Sequence, residues 1–577
     1  MLAHGELMKV SKTSLLLLGI FIFALILRVI TASHLDVSTD EMIYSIIPYN
    51  IISTAKLGTV DQSPLFFYLA DITYKLSGAL TPLKIRLLSV FFGALATIVV
   101  FLVSLQLFKN KKAALVSSFL FAASGYSLVH NVEMDMIAFF FALLSMYLFN
   151  LALNGDKKAY YLASAAFALS VLIKNITLIF LPVFILAYAI KYKNKDTHLS
   201  LTSDLKPIIL SVFIFLALVS PVLIYNYVLY SEKGIADFYF ADFIGEEAVP
   251  IKGTGEFGWH FDEFKGTIVS KIKEMVKLDP VLLFSGVLGV LAVAWKKRES
   301  LHFSISLLVL FFYVGGKTAS SSHYLWVPLI LSIFAGYVIV ELSDWIKVFH
   351  RSASRFLIVA VIAFAAFGSY SALSEAKASG EDSLTVQLRD YARSIPDNSL
   401  VVIDPRIYNG IHAWVFHDKH YLAGNYAPQF FEQLNQAQGQ MTKVPLYYLE
   451  CSNTTGKYCG WKPEDYARVS EFGQRLTAEF SKNTEITAEV GIRDVVIIHR
   501  GEISIPAALL NSVDQTHQFW GYPVGWKYPE QAIDYVQLKG FSSFLYAIGL
   551  IMLWINVILV FLSVPLLFIL LKAKRYE

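Results

Sequence analysis

The chain has 577 residues, of which 56% are hydrophobic, 15% aromatic and only 16% charged, and its mean hydropathy is +0.55. Soluble domains carry about 25% charged and about 45–50% apolar residues, so this composition excludes a collagenous, disordered or disulfide-scaffold chain and marks a membrane protein. With 48 Lys and Arg against 45 Asp and Glu, the net charge of +3 is too near neutral to imply a nucleic-acid partner.

A bilayer core of about 30 Å takes about 20 apolar helical residues. Twelve such stretches are predicted, at 13–32, 82–107, 113–130, 136–153, 159–174, 176–192, 207–230, 280–296, 301–316, 323–342, 355–372 and 541–571. The first lacks a small-residue cleavage site and reads as a retained span. Lys and Arg in short loops are held in the cytoplasm during insertion. Lys9 and Lys12 precede the first span, and Lys109, Lys111 and Lys112 follow the second. Lys157 and Lys158, then Lys191, Lys193 and Lys195, then Lys296, Lys297 and Arg298, continue the pattern, followed by Lys347, Arg351 and Arg355, and finally Lys572, Lys574 and Arg575. Every second loop is basic, which predicts a cell-membrane protein with an even number of spans and both termini cytoplasmic.

The other side then receives loops 33–81 and 231–279, turns at 130–135 and 317–322, and a polar segment at 373–540. That segment has strand-like runs at 400–404 and 494–498 and helical patterns at 427–438 and 463–481, which predict a small α/β layer. The expected organisation is a membrane module at 1–345, a helix and connector at 346–372, an extracytoplasmic α/β domain at 373–540, and a last helix with a basic tail at 541–577. Both cysteines, Cys451 and Cys459, fall in this domain. They suit an outward-facing disulfide or two free thiols, whereas a zinc site needs about four ligands. Asn453-Thr454-Thr455 between them is a glycosylation sequon.

Loop 33–81 opens with Asp36-Val37-Ser38-Thr39-Asp40-Glu41 directly after the first span. Asp40 there suits a base for an acceptor hydroxyl, and it equally suits the N-cap of a helix beginning at Glu41. The segment Pro64-Leu65-Phe66-Phe67-Tyr68 is too short to span; it fits a helix lying at the interface and fits equally a helix covering the bundle. Glu133-Met134-Asp135 places two carboxylates in a turn, a pattern that binds a divalent cation, positions a sugar hydroxyl or simply starts a helix. Arg28, Arg86, Lys174, Lys317 and His323 are basic residues at or near the ends of spans on this side. They suit a pocket for a lipid phosphate, or singly they snorkel to headgroups.

These features together resemble the polyprenyl-phosphate-dependent GT-C glycosyltransferases, nearest in pattern the protein O-mannosyltransferases and the aminoarabinose transferases of lipid A. The pieces that carry the resemblance are Asp40-Glu41 after the first span, the Pro-Leu-aromatic segment, Arg86-Leu87-Leu88-Ser89, Lys174, and Lys317 followed by His323-Tyr324-Leu325-Trp326-Val327-Pro328, within residues 1–345. The resemblance implies a GT-C-like helical membrane fold with Asp40 as catalytic carboxylate and Glu41 beside it. It also implies that Glu133 or Asp135 binds acceptor or donor, with Arg86, Lys174, Lys317, His323 and Tyr324 toward the donor phosphate. Where many relatives have Lys-Pro-Pro or His-Pro-Pro, this chain has Gln62-Ser63-Pro64, so donor contacts from that segment do not carry over.

The expected activity is transfer of a sugar from a polyprenyl phosphate to a protein, glycan or lipid acceptor, with inversion. No cofactor is required, although the acid pair leaves a divalent cation open. An oligosaccharyltransferase is the rival enzyme, and its Trp-Trp-Asp-Tyr-Gly motif has only Phe519-Trp520-Gly521-Tyr522 as a counterpart. A transporter or flippase of lipid-linked sugars is the rival from another class, but no repeated halves are visible.

Overall fold

In the computed structural model, the described residues are 11–46, 51–52, 55, 57, 63–78, 80–193, 201–234, 261–296, 301–315, 320–381, 383–407, 414–424, 427–452, 459, 470–471, 473–475, 478, 488–492, 495–517 and 538–573. All twelve apolar stretches are helical, but they are not twelve uniform spans. Among the described residues eight helices are long and apolar enough to cross a membrane, or nine if a bent pair counts as one span. Helices α1 (Lys12–His34), α2 (Thr39–Ile46), α3 (Pro64–Ser77) and α4 (Pro82–Phe108) lead into α5 (Lys111–Ala122) and α6 (Gly125–His130). Next come α7 (Asp135–Leu153), α8 (Ala159–Ile173), a 3-10 turn at Asn175–Phe180, α9 (Leu181–Lys193) and α10 (Leu201–Lys233). The bundle is completed by α11 (Phe261–Leu278), α12 (Pro280–Lys296), α13 (Leu301–Gly315), a 3-10 turn at Ser321–Leu325, α14 (Trp326–Phe349) and α15 (Arg351–Glu381).

Helices α4, α7 and α14 are apolar all round and lie inside the bundle, while α1, α10 and α15 expose most of their apolar surface, as lipid-facing helices do. The stretch predicted at 113–130 is broken between α5 and α6, and α11 meets α12 at 116°. One carboxylate explains both breaks. Asp279, between α11 and α12, accepts from Ser124 Oγ (2.7 Å), Gly125 N–H (2.8 Å) and Tyr126 N–H (2.9 Å). It thus satisfies the orphan amides that open α6, and a buried acid with three donors holds both bends in place.

Helix α3 covers the bundle, with Leu65, Phe66, Phe67, Tyr68, Leu69 and Ala70 all buried. It ends at Gly78, whose φ of +80° is the conformation glycine adopts without a Cβ penalty.

The soluble part begins with α16 (Leu384–Ala392) and holds strands β1 (Leu400–Ile403), β2 (His420–Ala423), β3 (Met441–Cys451), β4 (Ala488–Ile492) and β5 (Val496–Pro506). Helices α17 (Ala427–Gln436) and α18 (Ala507–His517) complete it, before α19 (Gly540–Ala573) returns to the bundle. The sheet order is β2-β1-β3-β5-β4, with β1 parallel to β2 and β3, and β5 antiparallel to β3 and β4. Alternation along β1 splits the core: Leu400 and Val402 pack with Phe430 and Val513 on one face, and Val401 and Ile403 with Leu388 and Trp414 on the other. Cys451 and Cys459 form a disulfide, Cα to Cα 6.1 Å. The sequon, the motif-like run 519–522 and most of 463–481 lie outside the described residues.

Candidate active site

The site is built on the short helix that follows α1. Its N-cap is Ser38 and not Asp40: Ser38 Oγ accepts from Glu41 N–H (3.2 Å), and Glu41 Oε2 accepts from Ser38 N–H (2.9 Å). The Met42 N–H closes the first turn onto the Ser38 carbonyl at 3.0 Å. This is a reciprocal capping box, so the helix begins two residues earlier than an Asp40 cap requires. Asp40 is thereby excused from capping and stands at the exposed surface of the first turn.

Glu41 is buried, and Arg86 from the first turns of α4 holds it through Nε to Oε1 (2.5 Å) and Nη2 to Oε2 (2.9 Å). The remaining Arg86 donors go to the Ala32 (2.7 Å), Leu35 (2.9 Å) and Asp36 (2.5 Å) carbonyls. All five guanidinium N–H groups are consumed by protein. The geometry therefore corrects two expectations: Arg86 does not face a donor phosphate, and Glu41 is a clamp that fixes α2 rather than a second reacting carboxylate. The guanidinium also closes the C-terminus of α1, whose last carbonyls are otherwise unpaired.

On the other side of Glu41 from Arg86, Glu41 and Glu133 line one small cleft, with room for about a single water, together with Tyr44, Phe66 and Tyr74. Ser322 Oγ donates to Glu133 Oε2 at 3.3 Å. Burial, and then the neighbouring negative charge of Asp40, push the Glu133 carboxyl well above the usual range, with Lys174 opposing. Lys174 terminates α8 and is buried against Asp135, Nζ to Oδ2 2.7 Å. Lys174 and His323 both lie within electrostatic reach of Asp135. Asp135 Oδ1 and His323 Nδ1 are buried without a hydrogen-bond partner. The structure therefore gathers Asp40, Glu133, Asp135, Lys174 and His323, residues drawn from five elements. It does not add Tyr324, which is buried beside Phe311 (5.9 Å between rings), and Lys317 lies outside the described residues. Among the described residues no group of three or more His, Cys, Asp or Glu could hold a metal, and Asp135 is already matched by Lys174.

Comparison with known proteins bears on this arrangement. Residues 61–225 match the family of dolichyl-phosphate-mannose-protein mannosyltransferases. ArnT from Cupriavidus metallidurans has a crystal structure bound to undecaprenyl phosphate that superposes with a TM-score of 0.54 at 13% identity, covering 86% of this chain and 99% of ArnT. The chain has a GT-C-like fold. The apo form of the same ArnT gives 0.55 at 13% identity, with the same coverage of 86% and 99%. An oligosaccharyltransferase from Archaeoglobus fulgidus, tethered to an acceptor peptide, gives 0.49 at 15% identity over 91% of this chain and 81% of that one. No curated protein matches the chain by sequence.

Within this GT-C-like fold, two site residues escaped the sequence reading. Ser322 sits in a run of serines with nothing to distinguish it, and only the 3-10 turn at Ser321–Leu325 brings it to Glu133. Ser63, standing where many relatives have the first proline of that motif, donates to Asn175 beside Lys174. This hydroxyl ties the start of α3 to the α8 terminus with a neutral contact.

Proposed function

We propose that the protein transfers a glycosyl group from a polyprenyl phosphate to an acceptor hydroxyl or amine on the membrane side that carries the α/β domain. One observation carries the reading: an exposed carboxylate, Asp40, relieved of capping by Ser38 and Glu41, faces a buried cluster in which Lys174 is the cation and the His323 imidazole lies near it. The acceptor gives its proton to Asp40 as its heteroatom attacks the anomeric carbon. The bond to the lipid phosphate breaks with its electron pair on the phosphate oxygen, and configuration inverts. Lys174, with Lys317 as a further cation, offsets the charge that develops on the leaving phosphate, and the neutral His323 imidazole hydrogen-bonds it. Glu133, held by Ser322, hydrogen-bonds a hydroxyl of donor or acceptor.

The donor class is supported by the mannosyltransferase match over 61–225 and by the fold shared with ArnT, whose structure holds undecaprenyl phosphate. The acceptor is a protein, glycan or lipid, the reaction is read as metal-independent, and the alternation of basic loops supports cytoplasmic termini in a plasma-membrane protein. The test uses full-length protein in nanodiscs with dolichyl-phosphate-mannose and a panel of serine/threonine peptide, oligosaccharide and lipid A. Acceptor-dependent release of dolichyl phosphate is expected. No release from this donor or from undecaprenyl-phosphate sugars with any acceptor would overturn the reading.

A further inference from the structure

The α/β domain is strung between α15 and α19, and both helices come down on the loop that carries Asp40. At the near end of that loop, Gly380 in the last turn of α15 lies against the His34 carbonyl that ends α1, so close that a Cβ at Gly380 would collide with the oxygen. Three residues on, buried Ser383 caps α16 by accepting from Val386 N–H (3.1 Å), and its hydroxyl lies near the half-buried Asp36 carboxylate, which accepts from Val37 N–H (2.7 Å). The Asp36 carbonyl in turn accepts from Arg86, which grips Glu41. At the far end, Tyr546 of α19 accepts from Leu57 N–H (2.7 Å), Gly549 packs on the Leu57 side chain, and Trp554 meets Tyr68 edge-on at 5.6 Å.

We propose that Asp36, Ser383 and Gly380 are positioning residues, through which the seating of the α/β domain sets the placement of α2 and hence of Asp40. The proposal rests on the reading of Asp40 as the base. The contacts run without a gap: Ser383 to Asp36, Asp36 to Arg86, Arg86 to Glu41, and Glu41 to the first turn of α2. A joint that served packing alone would have no reason to end on the one arginine that fixes this turn. The links from Asp36 onward are hydrogen bonds to a buried guanidinium or within the capping box, where the geometry of one group restricts the next.

The test uses the full-length protein in nanodiscs and the variants Asp36→Ala, Asp36→Asn, Ser383→Ala and Gly380→Ala, in two arms. In the first, hydrogen exchange across residues 39–46 is expected to speed up in Asp36→Ala and Ser383→Ala. Asp36→Asn, which keeps the shape beside Ser383 and still accepts from Val37 N–H, stays near wild type. In the second, transfer from dolichyl-phosphate-mannose loses about ten- to a hundredfold in kcat, the range expected of a small misplacement, with KM for the donor unchanged. Gly380→Ala should show the same effects if it folds, and the other two variants decide the matter if it does not. Wild-type exchange across 39–46 in both Asp36→Ala and Ser383→Ala would overturn the joint, as would a rise in KM without a fall in kcat. If the wild type itself does not turn over, the functional reading fails separately, and the exchange arm still decides on the joint.

Discussion

Arg86 shows how one residue can be recognised correctly and given the wrong task. Its motif position, at the opening of α4, is legible in the sequence; its partners are not, because Glu41 lies 45 residues away and the three carbonyls belong to the end of α1. Removing one member of a buried pair leaves an uncompensated charge at a cost of about 3–5 kcal/mol. Arg86→Ala is therefore expected to destabilise the protein by that amount in thermal unfolding, and Arg86→Lys to recover little of it, since an ammonium cannot serve five acceptors in a fork. Glu133 gives a pH signature. Burial and the adjacent Asp40 raise its folded carboxyl value, so its contribution to stability is fully present below the unfolded value and is lost as pH rises through the folded one. Glu133→Gln keeps the Ser322 contact and does not ionise. The wild type should thus lose melting temperature relative to Glu133→Gln as pH rises, and parallel curves at all pH values would refute the assignment. Because Asp135 is matched by Lys174, EDTA is expected to leave turnover unchanged.

At the level of elements, the apolar stretches were legible because hydropathy reports length and composition. Their breaks were not: the turn before α6 and the bend between α11 and α12 are set by Asp279, which looks in the sequence like one more loop acid. The start of α2 was legible in principle, since Ser38-Thr39-Asp40-Glu41 fits a capping box. Asp is as good an N-cap as Ser, however, and what decides between them is the Arg86 grip on Glu41. Ser38→Ala should cost about 1 kcal/mol and speed hydrogen exchange in α2, with little change elsewhere; equal exchange in wild type and variant would remove the capping role. In the soluble part, the β1 and β5 runs stood out as apolar and β-branched. Strand β2, only four residues, exists because it pairs in parallel with β1, a contact across the intervening segment that no local pattern reveals.

At the scale of the whole molecule, the helices that flank the α/β domain meet the loop that carries the candidate site, Gly380 against the His34 carbonyl and Tyr546 accepting from Leu57 N–H. The basic loops predict that the side carrying this domain is extracytoplasmic. Protease added to intact cells or sealed right-side-out vesicles should cleave the domain, and protection there until lysis would reverse the orientation. The account as a whole turns on Asp40. Asparagine is nearly isosteric, and the helix is capped by Ser38, so Asp40→Asn should fold and melt as the wild type does while losing the proton acceptor, a loss worth about 10²–10⁴ in rate. The most direct measurement is transfer from dolichyl-phosphate-mannose by wild type and Asp40→Asn in matched nanodiscs, with thermal unfolding alongside. Loss of transfer at unchanged melting temperature is the predicted result, and wild-type turnover in the Asp40→Asn protein would contradict it.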